Sequence, residues 1–141
     1  MTATTRAGAD TVAELIRRRW GDHRTGLRDE HHTLSHHRAA AGAAARAALL
    51  VDLMPPRPGG EPHLGLLLDN TPEYPLWLGA AALAGAAVAG VNPTRRGAEL
   101  ARDITQPACR VLVYQRARLP VLDCVAVGGV GILVAGRVAA E

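Results

Sequence analysis

Short apolar runs and longer helix-like stretches alternate along the middle of this chain, between His63 and Tyr114. The short runs, HLGLLL at His63–Leu68, AVAGV ending at Val91 and RVLVY at Arg110–Tyr114, are almost continuously hydrophobic. Runs of that kind fit strands covered on both faces. A strand, helix, strand, helix, strand order cannot be closed by tight turns and requires crossovers between parallel neighbours. The predicted fold class is α/β, a partial parallel sheet with flanking helices.

The connecting segments supply their own punctuation. After the first strand, Asp69-Asn70-Thr71-Pro72-Glu73 reads as a helix start, with Thr71 as N-cap, Pro72 in the first helical position and Glu73 in the first turn. That helix is expected to reach Ala84. Asn92-Pro93-Thr94 turns the chain after the second strand, and a helix over Arg95–Ile104 follows, with Leu100 and Ile104 inward and Pro107 blocking its continuation. Beyond Tyr114 the pattern predicts a short helix at Arg116–Asp123 and a strand at Gly131–Ala135.

Upstream, Val12, Leu15, Ile16 and Trp20 recur at helical spacing behind Asp10 and Thr11, which can accept from the first free amides. This predicts an amphipathic helix. Gly26–Leu34 reads as a small hairpin with a polar turn at Asp29, Glu30 and His31, and Ser35 as the cap of an Ala-rich helix running to Leu53. Ala40, Ala44, Ala47, Ala48, Val51 and Leu53 are its expected core positions. Pro55–Pro62 is a turn-forming connector, too short to separate domains.

Composition narrows the chemistry. With 48% apolar residues, 3% aromatics and no Phe among 141 residues, the core must be built from Ala, Leu and Val. The formal charge is +3, and all 16 basic residues are arginine. A chain without lysine has no Schiff-base amine and no lysine on a phosphate-cradling loop. The small positive balance and the scarcity of aromatics argue against nucleic acid as a partner. The 16-residue apolar run Leu76–Val91 is shorter than the roughly 20 residues a bilayer span needs, so it predicts a buried helix followed by a buried strand and no transmembrane span. Cys109 and Cys124 make no disulfide framework and are expected to be structural. The opening residues lack a secretory apolar region, which makes the cytoplasm the default location.

Several residue groups invite a chemical reading. His31, His32, His36 and His37 lie close together in sequence, but the predicted turn and cap separate the two pairs, and no cysteine is nearby to complete a metal site. Ser35 lacks the glycine-flanked elbow of a hydrolase nucleophile. The GGVG segment at 128–131 lacks the strand-to-helix setting of a phosphate loop. No catalytic, cofactor-binding or metal-ligating residue is assigned. The candidate ligand-edge positions are Asp69, Asn70 and Thr71 and, one strand over, Asn92 and Thr94, because open α/β sheets place ligands at the carboxyl ends of their strands.

Three blocks, Leu66-Leu67-Leu68-Asp69-Asn70-Thr71-Pro72-Glu73, Trp77 to Ala86 and Gly90-Val91-Asn92-Pro93-Thr94-Arg95-Arg96-Gly97, stand in an order continued by Glu99–Ile104 and Cys109–Val113. In that order and spacing they resemble the N-terminal part of the AMP-forming fatty-acyl-CoA synthetases of the adenylate-forming ligase superfamily, most closely the actinobacterial members. Residues 1–141 are read as a single, incomplete α/β domain, with 11–123 resembling the ligase N-terminal region and 124–141 outside the match.

The resemblance implies a fold equivalent to the first part of the large N-terminal domain of those ligases. It also implies ATP, magnesium and CoA as cofactors of the full-length family, which makes acyl-CoA from acid. The family's phosphate loop ending in Pro-Lys and its later nucleotide-binding motifs are absent from this sequence. The expectation is therefore a truncated ligase fragment, inactive alone, which associates with the missing remainder or with itself through an exposed sheet edge. The alternative is a non-enzymatic interaction or membrane-peripheral module drawing on Arg17–Arg19 and the Leu76–Val91 run.

Overall fold

In the computed structural model, which describes residues 11–55, 58–122 and 130–135, the chain opens with α1 (Val12–Arg17) and a two-stranded antiparallel hairpin, β1 (Thr25–Arg28) and β2 (Thr33–Ser35). The Ala-rich helix α2 (His36–Leu53) follows. Next come β3 (His63–Leu67), α3 (Glu73–Ala84), β4 (Ala87–Gly90), α4 (Gly97–Thr105) and β5 (Cys109–Tyr114). A 3-10 turn (Arg116–Arg118), α5 (Leu119–Leu122) and β6 (Gly131–Val134) complete the described elements. Strands β4-β3-β5-β6, in that spatial order, form one parallel sheet.

The nearly unbroken hydrophobicity of β3 and β5 has a direct cause: both faces of these strands are covered. Leu64, Leu66 and Leu68, with Val111 and Val113, pack in one cluster with α2 and α3 residues such as Ala47, Leu50, Trp77 and Ala80. Leu67, Leu112 and Tyr114 pack with Leu100 and Ile104 of α4 in a second cluster on the opposite face. Successive strand residues alternate between the two clusters, as the period of two requires. Gly65 belongs where the strands leave no room, since a Cβ there would lie 3.0 Å from Leu112 Cδ1 and 3.2 Å from Cys109 Sγ. Cys109 is buried, and burial pushes its thiol pKa up, in keeping with a structural role. Cys124 lies outside the described residues, as do Gly128 and Gly129 of the GGVG segment.

Three local expectations are corrected. Of the four apolar residues whose spacing predicts the first helix, Ile16 is half-buried, whereas Val12, Leu15 and Trp20 are 59%, 50% and 60% exposed. The helix is short and touches the body of the protein through Ile16, whose Cδ1 sits over Gly79 of α3. In α2 the buried stripe is Ala40, Ala43, Ala47 and Leu50, leading to buried Met54, while Val51 and Leu53 are exposed and Ala48 is turned outward with them. An alanine run gives few large residues from which to read a face, and the actual face is set by close approach to α3: a Cβ on Gly79 would lie 3.1 Å from Ala43 Cβ.

The third correction concerns the start of α3. Pro72 already has helical angles (φ −55°, ψ −25°), so it does open the helix, but the Thr71 hydroxyl makes no capping bond and is buried without a partner. By contrast, the Ser35 hydroxyl caps α2 by accepting from Arg38 N at 3.1 Å. Thr11 likewise forms a reciprocal capping box with Glu14 at the start of α1.

Candidate functional site at the sheet's carboxyl edge

From β3 the chain crosses through α3 to β4 on one side, and from β4 it crosses back through α4 to β5 on the other side of β3. The direction of winding therefore reverses between β3 and β5. In an open parallel sheet such a reversal leaves a crevice outside the carboxyl ends of the two diverging strands, the usual ligand position of doubly wound folds.

The loops bordering that reversal are bonded to each other. Asp69, just past β3, donates its backbone N–H to Gln115 Oε1 at 2.7 Å, and its Oδ1 accepts from Arg118 Nη2. Its carbonyl accepts from Thr71 N at 2.8 Å, and the Thr71 carbonyl in turn accepts from Tyr74 N at 3.0 Å. Asn70 is exposed between them. Two polar atoms of Asp69's direct partners, Thr71 Oγ1 and Arg118 Nε, are buried without a hydrogen bond. Such atoms are uncommon in folded proteins and need an account.

Behind this edge, the first turn of α3 is tied to α2. Glu73, 4% exposed, accepts from Arg46 Nη2 at 2.6 Å and Nε at 3.3 Å, and from Trp77 Nε1 at 2.9 Å. Arg46 Nη1 also donates to the Gly42 carbonyl at 2.9 Å, and its guanidinium lies 5.7 Å from the Trp77 ring. Two guanidinium contacts and one indole N–H thus satisfy the oxygens of this buried side chain. It fixes the helix that carries the Asp69–Thr71 loop.

Asn92 and Thr94 lie at the end of β4, on the outer side of β3, and bond to one another. Asn92 Oδ1 accepts from Thr94 N at 2.9 Å and from Thr94 Oγ1 at 2.7 Å. This closed turn is extended by Arg96, whose Nη1 donates to the carbonyls of Pro93 and Arg95 at 2.8 and 2.7 Å. Of the five sequence-derived positions, the structure thus places Asp69, Asn70 and Thr71 beside the reversal and Asn92 and Thr94 one strand away. Gln115 and Arg118 were missed. The signal that could have found them is the one used for Asp69: polar residues directly after a strand, here after Tyr114.

The histidines divide into two groups. At the hairpin tip Asp29 Oδ1 accepts from the amides of His31 and His32 at 2.7 and 2.6 Å and lies 3.0 Å from His32 Nδ1. Those contacts, the His31 amide first, hold the Asp29 carboxyl below the usual range. At the start of α2, His37 Nδ1 accepts from Gly21 N at 3.0 Å, with Trp20 edge-on at 4.8 Å and His23 at 5.2 Å. Among the described residues no group of three His, Cys, Asp or Glu side chains could hold a metal ion.

Solved N-terminal domains share this fold: that of FACL13 from Mycobacterium tuberculosis superposes with a TM-score of 0.74 at 18% identity, over 90% of this chain and 34% of that one. The long-chain-fatty-acid CoA ligase assigned in Rhodopseudomonas palustris superposes with a TM-score of 0.76 at 25% identity, over 92% of this chain and 33% of that one. No family model matches the sequence.

Sequence relatives narrow the class. The steroid-22-oyl-CoA synthetase of Rhodococcus jostii is 46% identical over 107 residues, which cover 76% of this chain and 19% of the relative. A medium/long-chain-fatty-acid–CoA ligase of Mycobacterium marinum is 46% identical over 77 residues, covering 55% of this chain and 15% of the relative. In sequence and in fold the chain corresponds to the N-terminal part of an AMP-forming fatty-acyl-CoA ligase, and it spans less than a fifth of the length of these curated relatives.

Proposed function

We propose that this chain is a scaffold portion of a ligase that joins an apolar carboxylic acid, a fatty acid or a steroid side-chain acid, to CoA with ATP cleaved to AMP and pyrophosphate. The single observation that carries the reading is the 46% identity over 107 residues with steroid-22-oyl-CoA synthetase. In this reading the β3/β5 edge, with Asp69, Asn70, Thr71, Gln115 and Arg118, forms one wall of the ligand crevice, and Asn92 and Thr94 brace the adjoining turn. The partner is the rest of such a ligase.

The residues of this chain do not fit a complete nucleotide site. Adenylation needs a clamp on three phosphates and their magnesium ion, whereas the sequence holds no lysine and the described residues hold no acidic cluster for a metal. The 141 residues alone are therefore proposed to be inactive, with ATP, magnesium and CoA bound by the complete enzyme. Without its partner the outer edge of β4 is open to self-association. The amides of Ala87 and Val91 donate to Pro62 and Leu66 of the β3 side, which turns the intervening amides of Val88 and Gly90 outward.

A chimera tests the assignment: the R. jostii synthetase with its matched stretch replaced by this one, assayed for acyl-CoA formation. Retained activity, within about tenfold of the parent, supports an equivalent scaffold. A folded but inactive chimera counts against it.

A further inference from the structure

We infer that α1 and the turn behind it form a docking surface for an anionic lipid bilayer. The residues concerned belong to the apolar stripe of the predicted amphipathic helix, and the structure leaves them out: Val12, Leu15 and Trp20 are 59%, 50% and 60% exposed. The chain keeps winding past α1, with Arg19 N and Trp20 N donating to the carbonyls of Ile16 and Arg17 at 3.0 and 3.2 Å, so all three apolar side chains hang from one continuous coil. Ile16 sits against α3 at Gly79, and the turn behind is tied to α2, where Gly21 N donates to His37 Nδ1 and the Trp20 ring lies edge-on to His37. The adjoining Leu78 of α3 is itself 41% exposed.

Charge selects the occupant. Arg17, Arg18 and Arg19 are all exposed on the same coil, and Thr11–Arg24 contains four arginines against two carboxylates. One of those carboxylates, Glu14, is held in the capping box and the other, Asp22, lies between Arg19 and Arg24. A protein partner's apolar pocket would complement the leucine and valine but not three neighbouring guanidiniums. A bilayer of anionic lipid complements both, taking apolar side chains and an indole at the headgroup boundary while long cationic side chains reach the phosphates. Within the Leu76–Val91 run Leu76, Trp77, Ala80, Ala81 and Val91 are buried, so the run presents no continuous apolar face of its own. No helix among the described residues is long and apolar enough to cross a membrane, so the contact is peripheral.

The inference does not rest on the ligase reading, since vesicle binding is measured without acid, nucleotide or CoA. The probe is the 141-residue chain with vesicles of phosphatidylcholine alone or with about one-third phosphatidylglycerol. Trp20 reports contact, because the other tryptophan, Trp77, is buried; Trp20→Phe identifies its signal. Expected are a blue-shifted Trp20 emission and quenching by bromolipid on the anionic vesicles only, weakened by salt. Arg17→Gln with Arg18→Gln should weaken partitioning about thirtyfold, and Leu15→Ser should weaken it while circular dichroism stays unchanged. The inference is overturned if the folded chain ignores anionic vesicles or if the double-arginine variant binds as the parent does. It is equally overturned if Trp20 is shielded from a soluble quencher without lipid, either in a second copy of the chain or in the chimera, because the surface would then belong to a protein contact.

Discussion

The turn after β3, Asp69-Asn70-Thr71, and the turn after β4, Asn92-Pro93-Thr94, hang similar polar side chains from the carboxyl ends of neighbouring parallel strands. Their bonds run differently. Asp69 reaches across the reversal to Gln115 and Arg118 of the β5 side, and the helix that follows is anchored by the buried Arg46–Glu73 pair. Asn92 satisfies its own turn through Thr94, and the helix beyond carries only solvent-side pairs, Arg95 with Glu99 at 3.4 Å and with Asp103 at 3.1 Å. Position in the sheet accounts for the difference. Among the described strands β3 has hydrogen-bonded neighbours on both sides whereas β4 is an edge strand, so only the β3 loop borders the loop after β5 across the reversal.

The largest way to break this asymmetry is Glu73→Ala. It strands the Arg46 guanidinium and the Trp77 indole N–H in a mostly buried layer, for an expected loss of about 3 kcal/mol in denaturant unfolding. Asp103→Ala, which breaks the matching pair behind the β4 turn, should cost no more than about 0.5 kcal/mol. Gly65→Ala comes next. Its Cβ would lie 3.0 Å from Leu112 Cδ1 on the very strand pair that makes the reversal, and about 1–2 kcal/mol should be lost to overpacking.

At the loops themselves, Asp69→Ala should cost about 1 kcal/mol by freeing Arg118 and should loosen both sides of the crevice, read as faster amide exchange after β5 as well as after β3. Asn92→Ala should cost about 0.5 kcal/mol, with exchange changing only at its own turn.

Acid sharpens a contrast with the hairpin. The Arg24 guanidinium holds the Asp22 carboxyl well below the usual range, and the His31 amide does the same, more mildly, for Asp29. A carboxyl depressed by folding contributes stability that is fully present above its unfolded value, about 4, and is lost as pH falls through its folded value. Amides of the hairpin should therefore loosen below about pH 4, before those of β3 and β5.

What could be read from the residues alone follows the strength of the side-chain pattern. β3, α3 and β5 were legible because a doubly covered strand admits little but Leu, Val and Gly, and because Pro72 and Pro107 mark where helices can begin and end. The Ala-rich α2 was legible as a helix but not in its buried face, since alanines at Ala43, Ala44 and Ala48 look alike until α3 is laid against them. Val12, Leu15, Ile16 and Trp20 showed a helix and were silent on whether anything covers them. At the candidate site Asp69–Thr71 could be placed by the end of a strand. The grip of Gln115 and Arg118 needed the crossover back over β3, a fact of topology that spans 46 to 49 residues of separation. Glu73 read as a helix-start carboxylate, and nothing local in the sequence announces Arg46 as its partner 27 residues earlier.

In the proposed division of labour this stretch would shape a ligand crevice and leave the nucleotide chemistry to the rest of a ligase. Isotope exchange between pyrophosphate and ATP, measured on the purified 141-residue chain with magnesium and a long-chain or steroid acid, tests it most directly. No exchange above the protein-free background is predicted, with exchange present in the active chimera under the same conditions. Acid-dependent exchange by the chain alone would contradict it.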